Sequence, residues 1–264
     1  MARPLVLLSN DDGYRAQGIQ LLKHAISAWA DVVICAPEME QSTTSHSLSL
    51  YRPLRLVQVS DSEYAVDGTP ADCVYVALHG ARVLPRPPDL VVSGLNHGLN
   101  LGNDVFYSGT VAAAREAALK GFVALAVSAD MRADFEKAAA MSASIARGLL
   151  GSVPSSPALG RLFNVNFPSH GSWKPRSTRL GRRFYRDEVE FRRDPRGREY
   201  LWIGGAALEH DLLEGSDTEA YDRGEVGITP LVLDLWDPGG SAQAAAVVAA
   251  VSTEREQESD PDAC

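Results

Sequence analysis

Two adjacent carboxylates, Asp11 and Asp12, follow the apolar run Leu5-Val6-Leu7-Leu8-Ser9, with Asn10 before them and Gly13 after. Like charges held side by side are costly unless a cation or a proton neutralises them. A hard ion such as Mg²⁺ or Mn²⁺ suits an all-oxygen site of this kind. Adjacent side chains on a continuing strand point to opposite faces, so the pair can share a ligand only if the backbone turns. Asn10 and Gly13 favour a turn there. The alternative is a solvated Asp-Gly turn in which Asp11 caps the next helix.

Two further stretches carry polar groups towards the same edge. Residues 37–47 follow a second apolar run and include Ser42, Thr43, Thr44, Ser45 and Ser47, so this loop is placed to add an oxygen ligand. Residues 94–110 hold four glycines and three asparagines, then pass into the helix-forming run Val111-Ala112-Ala113-Ala114-Arg115-Glu116. Ser108 or Thr110 would N-cap that helix, and its first turn would offer free N–H groups to an anion such as phosphate. The loop is neither a P-loop nor a dinucleotide-binding glycine fingerprint. Thr69, Pro70 and Asp72 read as a capping box with proline at the first helical position, which is a structural role.

The elements that would position these groups follow from periodicity. Apolar residues at Ile19, Leu22, Ala25, Ile26 and Trp29 predict a helix over 17–30, and residues 31–36 a second buried strand. Strand, helix, strand at this spacing is a βαβ unit with parallel strands, and open α/β sheets bind ligands at the carboxyl ends of such strands. Further strands are predicted over 48–59, 63–66, 89–93, 122–128, 162–168 and 228–236. Helices are predicted over 70–79, 134–150 and 242–251, and 217–224 reads as a polar loop. Residues 184–191 and 200–203 flank Asp194-Pro195-Arg196-Gly197 as a protruding hairpin. Its arginines (182, 183, 186, 192, 193, 196 and 198) read as a solvated face or a subunit contact, with substrate contact the lesser alternative.

The fold class is therefore α/β, a Rossmann-like, largely parallel sheet flanked by helices, with a hairpin arm and a carboxyl-terminal extension. The expected division is a catalytic core over 1–168, an arm and oligomerisation region with a returning strand over 169–237, and a terminal helix with an acidic tail over 238–264. Net charge is −9, and residues 254–264 hold five acids to one base, so that tail is expected to be disordered. Nothing resembles the basic footprint of a nucleic-acid polymer binder. Cys35, Cys73 and Cys264 are far apart in sequence and form no metal-ligand spacing. With no signal-peptide pattern and no membrane-length apolar run, the expectation is a cytoplasmic protein that does not enter a membrane.

Seven motifs occur in order: Ser9-Asn10-Asp11-Asp12-Gly13, Ala36-Pro37 with Gln41-Ser42, Asp67-Gly68-Thr69-Pro70-Ala71-Asp72-Cys73, Ser93-Gly94-Leu95-Asn96, Asn100-Leu101-Gly102, Tyr107-Ser108-Gly109-Thr110-Val111, and Asn164-Val165-Asn166-Phe167-Pro168. Together, over about residues 4–237, they resemble the SurE family of metal-dependent nucleotidases. The resemblance implies one divalent ion per subunit, Mg²⁺ or Mn²⁺, and release of phosphate from nucleoside 5′- and 3′-monophosphates, with short polyphosphate as a further substrate. It places metal ligands on Asp11, Asp12, Ser42 and Asn96, and phosphate contacts on Asn96, Asn100, Ser108, Gly109 and Thr110. Asp11, Asp12 and Asn100 become the catalytic residues, and a homodimer or homotetramer is expected. Thr43 and Asn103 depart from the family pattern, the first from a small residue and the second from a frequent acid.

The expected nucleophile is a water with Asp11 or Asp12 as base. An aspartyl-phosphate is the alternative, although the commoner Asp-x-Asp arrangement is absent. His46 and His97 are candidates to protonate the leaving oxygen. The competing functions are a broad-specificity phosphatase or exopolyphosphatase, and a non-catalytic module that binds metal and nucleotide.

Overall fold

The computed structural model describes residues 3–152, 160–185, 188–204, 207–211 and 213–258. The chain divides into two compact units, residues 1–233 and 234–264. Within the first, β1 (Leu5–Ser9), α1 (Gln17–Ser27) and β2 (Asp31–Pro37) form the expected βαβ unit, with β1 and β2 parallel. After them come β3 (Leu56–Ser60), β4 (Glu63–Val66), α2 (Pro70–His79), β5 (Leu90–His97), α3 (Gly109–Leu119), β6 (Val123–Ala129), α4 (Phe135–Ser152) and β7 (Arg161–Phe167). The remainder comprises β8 (Pro175–Ser177), β9 (Arg183–Tyr185), β10 (Val189–Arg193), β11 (Glu199–Ile203), β12 (Ala207–His210), α5 (Asp217–Asp222) and β13 (Val226–Leu231).

Nine of these strands form one mixed, largely parallel sheet in the order β3-β4-β2-β1-β5-β6-β7-β13-β8. β3 runs antiparallel to β4, and β13 antiparallel to β7. Every residue of β1 is buried. Val6 and Leu8 enter a core with Ile19, Leu22 and Ile26 of α1 and Ala138, Ala139, Ala143 and Ala146 of α4. Leu5 and Leu7 face the opposite core, with Cys73 and Val74 of α2 and Val111, Ala114 and Ala117 of α3. The consecutive apolar run of β1 thus reflects helices on both faces, where one-sided burial would give alternation. With β2 on one side of β1 and β5 on the other, the strand order reverses at β1, which opens a crevice at its carboxyl end.

Several boundaries differ from expectation. In place of a strand over 48–59, the strand is Leu56–Ser60. The stretch before it is held by side chains instead, as where Asp72 accepts the Ser49 amide at 2.8 Å. β5 continues to His97 through a register shift between Ser93 and Asn96, a bulge that re-aims the residues beyond it. The alternating run at 184–191 is two elements: β9 pairs with β12, and β10 pairs with β11 to form the arm. Alternation cannot say which partner each half takes. The polar stretch at 217–224 contains α5, capped by Ser216, because Asp217, Thr218 and Ala220 are buried.

In the second unit, Asp237 caps a 3₁₀ turn at Pro238–Gly240 and α6 spans Ser241–Glu258. The helix therefore runs into the segment expected to be disordered, and 259–264, with Cys264, lies outside the described residues. Arg186 of the arm lies outside them as well. Among the described residues no helix is long and apolar enough to cross a membrane.

Candidate active site

The turn after β1 is built by Asn10, whose buried amide donates to Gly13 O at 2.8 Å, while Gly13 takes φ +98°. A left-handed φ is readily reached only by glycine. The turn carries Asp11 and Asp12 to the wall of one cavity of about 980 Å³, together with Ser42, Asn96, Asn100 and Ser108. Glu40, His97, Asp104, Tyr107, Arg183, Phe184 and Tyr185 also line it. Gly109 and Thr110 stand behind Asp11.

α3 begins with Ser108 as N-cap, its hydroxyl accepting from the Val111 amide at 3.1 Å. The Thr110 hydroxyl donates a short hydrogen bond to Asp11 Oδ1, and its backbone also bonds the Asp11 carboxylate. The helix start expected to receive phosphate thus also holds the chain's own carboxylate, and the Thr110 hydroxyl is engaged by Asp11. Gly109 is small for the same reason: a Cβ there would lie 3.0 Å from Asp11 Cβ.

Asp11 has its pKa pushed up to about 6, by burial first and by the Asp12 charge, against the lowering effect of Thr110. Asp12 is also raised, by burial first and with a contribution from Glu40, although His97 acts in the opposite direction. Among the described residues neither carboxylate has a lysine or arginine partner. The neutral donors are turned to present oxygen. Asn96 Nδ2 donates to Gly98 O at 2.9 Å, which leaves Oδ1 for the cavity. The Ser42 hydroxyl donates to Glu40 at 2.7 Å, which leaves its lone pairs. Among the described residues no group of three or more His, Cys, Asp or Glu could hold a metal. The donor set is two carboxylates with an amide and a hydroxyl oxygen, and it fits a hard divalent ion better than zinc.

The loop bearing Ser42 is fastened on both sides. The Gln41 amide donates to Asp11 O at 2.7 Å, Ser45 Oγ donates to Phe106 O at 2.7 Å, and His46 Nε2 lies 2.8 Å from Glu116 Oε2. Thr43 takes φ +57°, a left-handed conformation uncommon for a β-branched residue. His46 is engaged by Glu116 and does not line the cavity, whereas His97 does. Burial raises the pKa of Glu116, but the His46 hydrogen bond and the Lys120 charge outweigh it, and the net shift is downward. A depressed carboxylate contributes stability above its unfolded pKa, and loses it as pH falls through the folded value. Glu116→Gln is expected to cost about 1–3 kcal/mol near neutrality and to flatten the acid side of the Tm–pH curve below the ordinary glutamate range. Thermal melts from pH 3 to 8 check this.

Asn100 sits in a cradle of buried polar groups at the ends of β6 and β7. Its amide donates to Asn166 Oδ1 at 2.8 Å, and its carbonyl accepts from Asn164 Nδ2 at 2.7 Å and Asn166 Nδ2 at 3.1 Å. Asn100 Nδ2 donates to Ser128 Oγ at 2.7 Å. The remaining amide edge is thereby fixed towards the cavity. Ser128→Ala is expected to reduce kcat about tenfold and to lower stability by about 1–3 kcal/mol, because a buried N–H loses its acceptor. Ser128→Thr, which keeps the hydroxyl, should recover most of kcat; steady-state kinetics on the two variants decide it.

The opposite wall comes from β9. Asp104 is buried and accepts from Arg183 Nη1 and Tyr185 OH, each at 2.5 Å, while Asn103 Oδ1 accepts the Arg183 amide at 2.7 Å. Asp217 holds the preceding turn by accepting from Gly102 N at 2.9 Å and Gly181 N at 2.7 Å. Sequence reasoning placed Arg183 and Tyr185 on the arm and missed Ser128 and Glu40. The usable signals were the Asp104–arginine complementarity and the carboxylate two residues before Ser42.

The fold and this edge define an α/β protein with an acidic, oxygen-lined cavity at the switch point of a largely parallel sheet, suited to a hard cation. The Survival protein SurE family model matches residues 6–187. The chain is 60% identical to the 5′-nucleotidase SurE of Sorangium cellulosum over 238 residues, 89% of this chain and 92% of that one. It is 47% identical to the 5′-nucleotidase SurE of Myxococcus xanthus, covering 89% of each. The solved SurE protein from Aquifex aeolicus superposes with a TM-score of 0.78 at 37% identity, covering 92% of this chain and 99% of that one. The chain belongs to the SurE family.

Proposed function

We propose that this chain is a metal-dependent nucleotidase that hydrolyses nucleoside 5′-monophosphates to nucleoside and phosphate. The observation that carries the reading is the convergence of Asp11, Asp12, Ser42, Asn96, Asn100 and Ser108 on one cavity at the carboxyl end of β1. The printed name of its relatives, 5′-nucleotidase SurE, supports the substrate.

Asp11, Asp12, Ser42 and Asn96 would hold the ion, Mg²⁺ or Mn²⁺. When bound, such an ion offsets the phosphate charge and polarises phosphorus towards attack. Thr110 holds the Asp11 carboxylate in one orientation, and the β5 bulge aims Asn96. Asn100 and Ser108 line the same cavity and would face the phosphate oxygens. Phosphoryl transfer asks chiefly for positioning and electrostatics, which rigid strand ends supply. Asp12 would take the proton of an attacking water. His97 is the histidine on the cavity wall that can serve the leaving oxygen.

Activity on 3′-monophosphates and short polyphosphate extends this reading. Association into a dimer or tetramer is supported by the arm, since Val189, Phe191, Leu201 and Ile203 share one face of the β10–β11 ribbon and are exposed. A lone two-stranded ribbon is marginal in water. The test is phosphate release from 5′- and 3′-mononucleotides and tripolyphosphate by the purified protein, with EDTA, Mg²⁺ or Mn²⁺. Release from mononucleotides with a metal and none with EDTA supports the reading; no release with any metal overturns it.

A further inference from the structure

The polar floor of the cavity accounts for a phosphate and an ion, but part of its wall is aromatic and apolar. Tyr107, Met131, Phe184 and Tyr185 line it. They are 66%, 79%, 48% and 40% exposed. Large side chains of this kind, left open beside a polar site, mark a place where an apolar or planar group lands. The four are not equivalent. The Tyr185 hydroxyl is bound to Asp104, and the Arg183 guanidinium lies 5.5 Å from the Tyr185 ring centroid. That ring is therefore scaffold.

Phe184 is the residue between them, on a strand fastened at both neighbours to the turn that follows Asn100. Arg183 is held by Asp104 and Asn103, and Tyr185 by Asp104. Its ring is thus presented on a fixed backbone. Tyr107 is presented similarly, since its amide donates to Asp104 O at 3.0 Å and its carbonyl accepts from Ser45 N at 3.1 Å. Both anchors run through the Asp104 segment, which ties the aromatic wall to the turn that follows Asn100.

We infer that Phe184, with Tyr107, forms a stacking platform for the nucleobase of the substrate. The inference rests on the nucleotidase reading above and adds the residues that recognise the nucleoside. Stacking uses the face of the ring, which every base possesses, so the platform favours planar bases over bare sugars without choosing sharply among bases. Purines, with the larger face, gain more than pyrimidines. The Arg183 guanidinium on this wall is paired with Asp104 and serves to hold the platform in place.

The test compares a nucleoside 5′-monophosphate with ribose 5-phosphate, which carries the same phosphoester without a base. Phe184→Ala is expected to raise KM for AMP about tenfold and to leave kcat/KM for ribose 5-phosphate within about twofold. Phe184→Trp, which keeps a planar face, should retain the AMP value. An equal loss on both substrates, or no change on AMP, overturns the platform. Failure of the wild type to release phosphate from AMP would instead overturn the nucleotidase reading. Tyr107→Ala in the same comparison is expected to reproduce the AMP-specific loss in smaller measure.

Discussion

Asp12→Ala is expected to abolish metal-stimulated phosphate release, with a loss in kcat on the order of 10³-fold, while the protein keeps its fold. The size follows from what Asp12 does. It lines the cavity, it carries charge that no lysine or arginine among the described residues offsets, and its described contact is a long one from the His97 amide at 3.4 Å. On the proposed reading its removal would take away an anionic ligand and a proton acceptor, yet it breaks little that the fold depends on. Relief of repulsion from Asp11 and Glu40 should leave Tm unchanged or slightly raised. Asp11→Ala is expected to lose comparable activity but also stability, because Asp11 is buried and bonded to Thr110 and the start of α3. Rates, melting temperatures and circular dichroism on the two variants separate these effects. A stable Asp12→Ala protein with near wild-type turnover would contradict the account.

Gly18→Ala is expected to be the most damaging single methyl group at this edge of the sheet. A Cβ on Gly18 would stand 2.0 Å from Leu95 O and 3.0 Å from Leu95 C. Those are backbone atoms in the bulge that aims Asn96, so no side-chain rotation relieves the clash. Either α1 lifts from the sheet or the bulge shifts. Overpacking of this kind costs about 3 kcal/mol, which for a unit of this size lowers Tm by about 6–12 °C. Metal affinity should fall with it, as Asn96 moves. The same substitution at Gly148 in α4, where a Cβ meets open space, should leave Tm unchanged or raise it. Parallel melts of the two variants compare a methyl in a crowded site with one in an empty one.

Much of this architecture is legible in the chain. The doubly buried β1, the βαβ unit and the capping box at Thr69 and Asp72 each rest on a local pattern with one strong physical reading. The turn at Asn10 and Gly13 is legible as well, but its local pattern alone leaves a solvated turn open beside the convergence of Asp11 and Asp12. The harder parts are those in which distant segments choose each other. Phe184 and Phe191 fall in one alternating run, but β9 docks on the turn after Asn100 and β10 joins the arm. Periodicity carries no information on that choice, and for this reason it assigns Arg183 and Tyr185 to the arm. Asp217 illustrates the same limit. Its polar surroundings look like a loop until its carboxylate is seen to gather the amides of Gly102 and Gly181. The start of α3 marks a subtler case, because an N-cap pattern identifies an anion site without naming the anion. Here Asp11 takes part of that role.

The most direct test of the central claim is a Mn²⁺ titration of the wild type and Asp12→Ala, with bound metal and phosphate release from AMP measured in the same samples. The account predicts about one tightly bound ion per wild-type chain, turnover that rises in step with occupancy, and neither in Asp12→Ala. Full turnover in EDTA, or stoichiometric Mn²⁺ retained by Asp12→Ala, would contradict it.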